Sequence, residues 1–237
     1  HNASCPLCGK LKATLSHILS NCFVALNQHR YTWRHDNCIK SILPDLKGRI
    51  AAANRKPVTT PHIPHISDSF TKSNTIWKPK RRKPKRVHSV LDAANDWKLS
   101  IDFNNSMVFP FCTNILTRKR PDVLVFSEQT KTIIWGELTC PSEKRIQISA
   151  SIKSSRYSGL ETELRSKGWK VHAFTWEVSR LGFPAESVRF FLSKLGFPKH
   201  QIKHLLQRTG RAARRSSYYI WNARHSSVWS PPPLYGS

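Results

Sequence analysis

The stretch "RPDVLVFSEQTKTIIWGELTCP", positions 120–141, decides how the fold is read. "VLVF" and "TIIWGELT" are short apolar runs rich in β-branched and aromatic residues, and a polar segment separates them. That pattern predicts two strands joined by a short turn. Asp122 opens the first strand behind Pro121, and Glu137 stands near the end of the second, after Ile133, Ile134 and Trp135. A carboxylate beside buried β-structure is costly unless something pairs with it. Two such acids on neighbouring strands therefore call for a positive partner.

The pattern resembles the P-D…(D/E)-x-K signature of metal-dependent nucleases of the restriction-enzyme type, except that Thr139 stands where the lysine would be. Two lysines follow closely, Lys144 and Lys153, on a helix expected from about 142 to 167. Ile146, Ala150, Tyr157, Leu160 and Leu164 recur at helical spacing and form one stripe, with Lys153 in its middle. Lys144, nine residues earlier, projects from the opposite side. If the stripe packs on the sheet, Lys153 faces Glu137 and Lys144 faces water. Otherwise Lys153 reaches solvent or forms a structural ion pair. Ile148 and Ile152 lie off the stripe and suggest a second buried side.

The 237 residues carry 39 Lys+Arg against 14 Asp+Glu, a net charge of +25, and 39% are hydrophobic. This suffices for one ordinary core with accessory pieces. Such charge favours a polyanionic partner, nucleic acid before an acidic membrane surface. No apolar run reaches the roughly 20 residues of a membrane span. No acid occurs after Glu186, so Arg211, Arg214 and Arg215 stand unopposed in sequence and, with Arg120, are candidate phosphate contacts. The chain begins at His1 without a methionine, and the expectation is a C-terminal piece of something longer.

At the other end, Cys5, Cys8, His17 and Cys22 are spaced C-x2-C-x8-H-x4-C. Three thiolates and an imidazole favour tetrahedral Zn²⁺. His29, His35 and Cys38 are alternatives for the fourth ligand. A helix follows, expected to end near Pro44, on which His29, Arg30, Arg34 and His35 either touch phosphate or form a solvated face. A proline-rich connector then leads to "KPKRRKPKR", whose Lys78, Lys80, Arg81, Arg82, Lys83, Lys85 and Arg86 suit phosphate contact, nuclear import or a charged linker. Downstream, "SVLDAANDW" reads as a short helix, with Asp92 and Asp96 as candidates for a third acid. "KLSIDF" and "WKVHAFTWEV" read as strands, "PAESVRFFLSKLGF" as a helix, and the remainder as one or two helices interrupted near Gly210. The order predicts a mixed sheet flanked by helices. The expected divisions are a finger and following helix (1–47), a linker (48–86), a nuclease core (87–183) and a basic helical extension (184–237). The linker is expected to let finger and core fold independently.

The finger, "RYTWRHD", the basic linker, "RPD…GELT…K…Y" and "SSYYIWNARH" together resemble the C-terminal region of site-specific non-LTR (LINE-type) retrotransposon polyproteins, over nearly the whole chain. The resemblance implies an α/β, PD-(D/E)xK restriction-endonuclease-like core whose lysine has moved to the following helix, as Lys153 has, with Tyr157 one turn later. It implies a DNA nickase that exposes a 3′-hydroxyl for an upstream reverse transcriptase domain, in the nucleus. Element RNA is a further possible partner. Asp122 and Glu137 would hold Mg²⁺ or Mn²⁺, with the Leu138 carbonyl as a further ligand. Lys153 would act on water or the phosphorane, and Tyr157 would hydrogen-bond, stack or serve as nucleophile. Two competing classes are a catalytically inactive zinc-finger nucleic-acid-binding module of the same architecture and a ribosomal or chromatin-type basic protein. The latter explains the charge but not the acid pair.

Overall fold

The computed structural model describes residues 4–10, 12–56, 89–103 and 105–232. The basic run at 78–86 lies outside the described residues. Four strands form one mixed sheet in the order β1 (Lys98–Ile101), β2 (Val123–Ser127), β3 (Thr132–Thr139), β4 (Lys170–Glu177). β1–β2 and β2–β3 are antiparallel, while β3–β4 is parallel. A short 3₁₀ turn (Glu143–Arg145) and the following helix (Ile146–Ser166) make the crossover that a parallel pair requires. Among the described residues no helix is long and apolar enough to cross a membrane.

Alternation along the strands sends side chains to two cores. Val123, Val125, Ile134, Leu138 and Trp176 pack with Ile39, Ile42 and Leu46 of α2 (Arg30–Asn54), which follows the short α1 (Phe23–Asn27). The same core takes Val188, Phe191 and Leu192 of α4 (Glu186–Lys194) and Ile202, Leu205 and Ala213 of α5 (Lys199–Asn222). Gly136 leaves the room this packing needs: a Cβ there would meet the Phe191 ring at 3.0 Å, and Phe191 stacks on Trp176 at 5.6 Å. On the other face Leu124, Phe126, Ile133 and Trp135 pack with Tyr157, Leu160 and Leu164 of α3, the crossover helix. Burying each large apolar side chain contributes roughly 1.5–3 kcal/mol.

Several sequence expectations need correction. α2 does not end near Pro44 but continues to Asn54. The proline removes one ladder bond; buried Leu46 and Ile50 hold the next turns, and Arg208 of α5 donates to the Ser41 carbonyl (2.7 Å) and pairs with Asp45 (2.5 Å). α5 is likewise uninterrupted at Gly210. That glycine allows close approach, because a Cβ would meet the Gly182 carbonyl oxygen at 2.4 Å. Ile148 and Ile152 are exposed, so α3 is buried on one side only.

Arg30 and Arg34 are buried and serve as struts rather than phosphate contacts or a solvated face. Arg30 donates to the Ala223 (2.7 Å) and Ser226 (2.8 Å) carbonyls. Arg34 donates to the Leu19 carbonyl (3.0 Å) and Ser217 Oγ (3.1 Å). Ile18, Leu19 and Ala25 of the finger pack with Ile220 of α5, and Arg180 donates to Ser20 Oγ (2.9 Å). Packing is therefore continuous across the expected boundaries near 47 and 183. The finger leans on the core, and α2, α4 and α5 together cover one face of the sheet.

Candidate active site

The β2–β3 ladder ends at the pair Val123–Gly136, so Asp122 and Glu137 are the next pair outward. Both lie on the α3 side by alternation, with Leu124 and Trp135. The Leu138 N–H donates to Asp122 Oδ2 (2.6 Å), and the Asp122 N–H donates to Glu137 Oε2 (3.3 Å). Each carboxylate is thus held by the other's strand. Glu137 is only 2% exposed. Burial and the neighbouring Asp122 push its carboxyl above the ordinary range, against the pull of Lys153 and Tyr157.

Lys153 Nζ forms an ion pair and hydrogen bond with Glu137 Oε1. Lys144 is exposed, in the turn before α3. Tyr157, one turn beyond Lys153, donates to the Arg120 carbonyl (3.0 Å) and is buried. Burial and Glu137 hold its phenol well above the ordinary tyrosine range, which keeps it neutral. Thr139 shares Glu137's face at the position of the usual lysine, and its buried hydroxyl has no hydrogen-bond partner among the described residues.

The two acids expected to offer a third carboxylate do not reach this cluster. Asp92 closes a capping box with Ser89 and pairs with Lys56 (3.4 Å). Asp96 accepts from Ser127 Oγ (2.5 Å) and the Gln129 N–H (2.9 Å), tying down the β2–β3 turn. The acid beside Asp122 in the sheet is Asp102, whose N–H donates to the Asp122 carbonyl (3.0 Å). Its carboxylate accepts from the Met107 N–H (2.9 Å) and pairs with Arg120 (3.3 Å). Arg120 is therefore tied at the site's edge by an acid that the "KLSIDF" strand end could have signalled.

Sequence reasoning also missed a contact from α2. His35 Nε2 lies 3.1 Å from Asp122 Oδ2, and its Nδ1 lies 3.1 Å from Asp36 Oδ1. Burial opposes the charged ring, but Asp122 and Asp36 together hold His35 well above the ordinary histidine range. Local pattern cannot reveal a partner 87 residues away in the chain.

At the finger, Cys5 Sγ is 4.0 Å from Cys22 Sγ and Cys8 Sγ is 3.3 Å from His17 Nε2. All four donor atoms lie within 4.8 Å of one another. A tetrahedral zinc with bonds of about 2.0–2.3 Å has donor–donor edges of roughly 3.4–3.8 Å. The cluster can therefore hold a metal such as zinc. Gly9 makes the turn after the Cys pair at φ +67°, with its N–H on the Cys5 carbonyl (2.7 Å). None of the alternative ligands joins the cluster: His29 opens α2, His35 faces Asp122, and Cys38 Sγ sits 3.9 Å from Cys140 Sγ. Arg211, Arg214 and Arg215 are exposed on α5, with Arg215 also against the Tyr219 ring (5.9 Å). No protein-family model and no curated protein sequence matches the chain.

Proposed function

We propose that the chain is a metal-dependent DNA endonuclease with a restriction-like core and a CCHC zinc finger, the nicking part of a LINE-type retrotransposon polyprotein. The observation that carries this reading is the cluster of Asp122, Glu137 and Lys153. A 2% exposed glutamate, raised first by burial and then by its aspartate neighbour, and reached by a lysine from the next helix, costs stability and is suited to a cation and a phosphate. Asp122, Glu137 and the Leu138 carbonyl are the residues that would hold Mg²⁺ or Mn²⁺. When bound, the ion supplies charge neutralisation and a lowered pKa for water.

The chain's own residues do the rest. Lys153 carries the charge that the strand lacks at Thr139. It places an ammonium beside Glu137, where it can orient water or stabilise the charge developing on the phosphorane. Tyr157, neutral and donating to the Arg120 carbonyl, orders the strand entry and is not the nucleophile. Arg211, Arg214 and Arg215, with the run at 78–86, supply phosphate contacts. That run also supports a nuclear location. Zn²⁺ is the metal for the Cys5, Cys8, His17, Cys22 cluster, whose three thiolates and one imidazole suit it. Target DNA is the substrate, and the exposed 3′-hydroxyl would serve an upstream reverse transcriptase, with element RNA as a further partner. Conversion of supercoiled plasmid to the nicked circle with Mg²⁺, abolished by EDTA, tests the reading. DNA binding without nicking would leave the inactive binding module.

A further inference from the structure

His35 bridges two carboxylates from a helix that approaches the acid pair independently of the sheet and of α3. Its Nε2 is 3.1 Å from Asp122 Oδ2 and its Nδ1 3.1 Å from Asp36 Oδ1. Asp122 Oδ2 also accepts from the Leu138 N–H at 2.6 Å. A carboxylate oxygen has two in-plane lone pairs. Two donors therefore fill Oδ2, and among the described residues Oδ1 has no hydrogen bond, which leaves it for a cation shared with Glu137. The Leu138 N–H alone leaves the carboxylate able to turn about its terminal torsion, which is a broad one. A second donor from another direction removes that freedom.

The bridge is itself anchored. Asp36 accepts from Nδ1 and fixes the ring plane. Arg34, on the same turn of α2, donates to the Leu19 carbonyl in the finger (3.0 Å), to Ser217 Oγ on α5 (3.1 Å) and toward the Cys140 carbonyl just past β3 (3.4 Å). The first turns of α2 are thus pinned to the finger, to α5 and to the end of the strand that carries Glu137. We propose that His35 is a positioning residue for Asp122, with Asp36 as its anchor, so that the helix leaving the zinc finger sets the orientation of the first acid. This rests on the nuclease reading above. It adds a residue that acts through Asp122 rather than on substrate. Outer partners of this kind typically contribute about 10–100-fold to activity or metal affinity.

The test compares the zinc-loaded full chain with its His35→Ala, His35→Gln and Asp36→Asn variants, with Asp122→Ala setting the floor. Glutamine can place an N–H donor near the Nε2 position. Single-turnover nicking at saturating Mg²⁺ is expected to fall about 10–100-fold in His35→Ala, with DNA Kd unchanged, and to recover most of the way in His35→Gln. Asp36→Asn is expected to lie between. Mn²⁺ binding followed by electron paramagnetic resonance gives a readout independent of turnover: half-saturation shifts upward about tenfold or more in His35→Ala and returns in His35→Gln. Wild-type rates and Mn²⁺ binding in His35→Ala overturn the positioning role, as does an equal loss in Ala and Gln, which marks a packing role only. If the wild type binds Mn²⁺ but does not nick, the nuclease reading fails and the Mn²⁺ series alone decides the His35 role. A wild type that does neither overturns both.

Discussion

Replacing Lys153 with alanine isolates the central side chain. In the folded protein its ammonium rests on Glu137, whose side chain is 3% exposed while that of Lys153 is 24% exposed. Removing one partner of a fully buried pair costs about 3–5 kcal/mol. Water reaches Lys153, and Glu137, already raised, can take up a proton in the variant, so the loss falls below that range, about 1–3 kcal/mol. For a chain of this size that lowers Tm by roughly 10 °C or less, so Lys153→Ala stays folded at assay temperature. The effect on rate is of another kind. Losing one preorganised charge or acid–base group costs about 100-fold or more, close to 2.7 kcal/mol of barrier. Single-turnover nicking of supercoiled plasmid at saturating Mg²⁺ measures it, with Lys144→Ala as control. Lys144 is exposed in the turn before α3, and its loss is expected to weaken DNA binding only. Thr139→Lys in the Lys153→Ala background returns an amine to Glu137's face and is expected to restore part of the rate. Nicking by Lys153→Ala within about threefold of wild type, or a larger loss in Lys144→Ala, refutes the reasoning.

Metal analysis is expected to find about one zinc per chain, lost in Cys5→Ser and Cys8→Ser. Because Ile18, Leu19 and Ala25 pack with Ile220, both variants are expected to melt earlier as a whole rather than lose the finger alone; a core melting at the wild-type temperature contradicts this. Nonspecific DNA affinity is expected to fall by orders of magnitude between about 50 and 200 mM salt if six or more phosphates are neutralised. Replacing the basic residues of 78–86 flattens that slope in filter binding, and an unchanged slope removes the run from the interface. His35, held above the ordinary histidine value of 6.5, contributes stability that is fully present below that pH and is lost as pH rises through the elevated folded value. His35→Gln, which does not titrate, is expected to flatten the Tm–pH curve in that window, and an unchanged curve contradicts the assignment.

The parts legible in the sequence are those where local period matches what is buried. "VLVF" and "TIIWGELT" read as β2 and β3 because β-branched and aromatic residues fill both faces. The stripe through Tyr157, Leu160 and Leu164 brought Lys153 to Glu137 because a helix on a sheet buries one face. Spacing alone assembled Cys5, Cys8, His17 and Cys22, since short loops fix where ligands can meet. What stayed hidden depends on contacts distant in the chain. Arg30 and Arg34 look like surface cations until α5 and the turn that follows it supply their acceptors. Pro44 and Gly210 look like breaks until Arg208 braces the helix beside Pro44 through Ser41 and Asp45, and Gly182 explains the missing side chain. Asp92 and Asp96 sit in a local sequence that suits a catalytic helix, but capping and a turn consume their oxygens. Asp102 and His35 reach Asp122 only through sheet register and the path of α2.

The most direct measurement is Mg²⁺-dependent nicking of supercoiled plasmid by the zinc-loaded chain and by Asp122→Ala and Glu137→Ala, with the nicked product offered to a polymerase that extends only 3′-hydroxyl ends. The wild type is expected to nick in an EDTA-sensitive way and to yield extendable ends. Both variants are expected to nick at background, with DNA affinity unchanged because Lys and Arg side chains supply it. Nicking that survives both single substitutions, or a wild type that binds DNA and never cuts it with Mg²⁺ or Mn²⁺, contradicts the account.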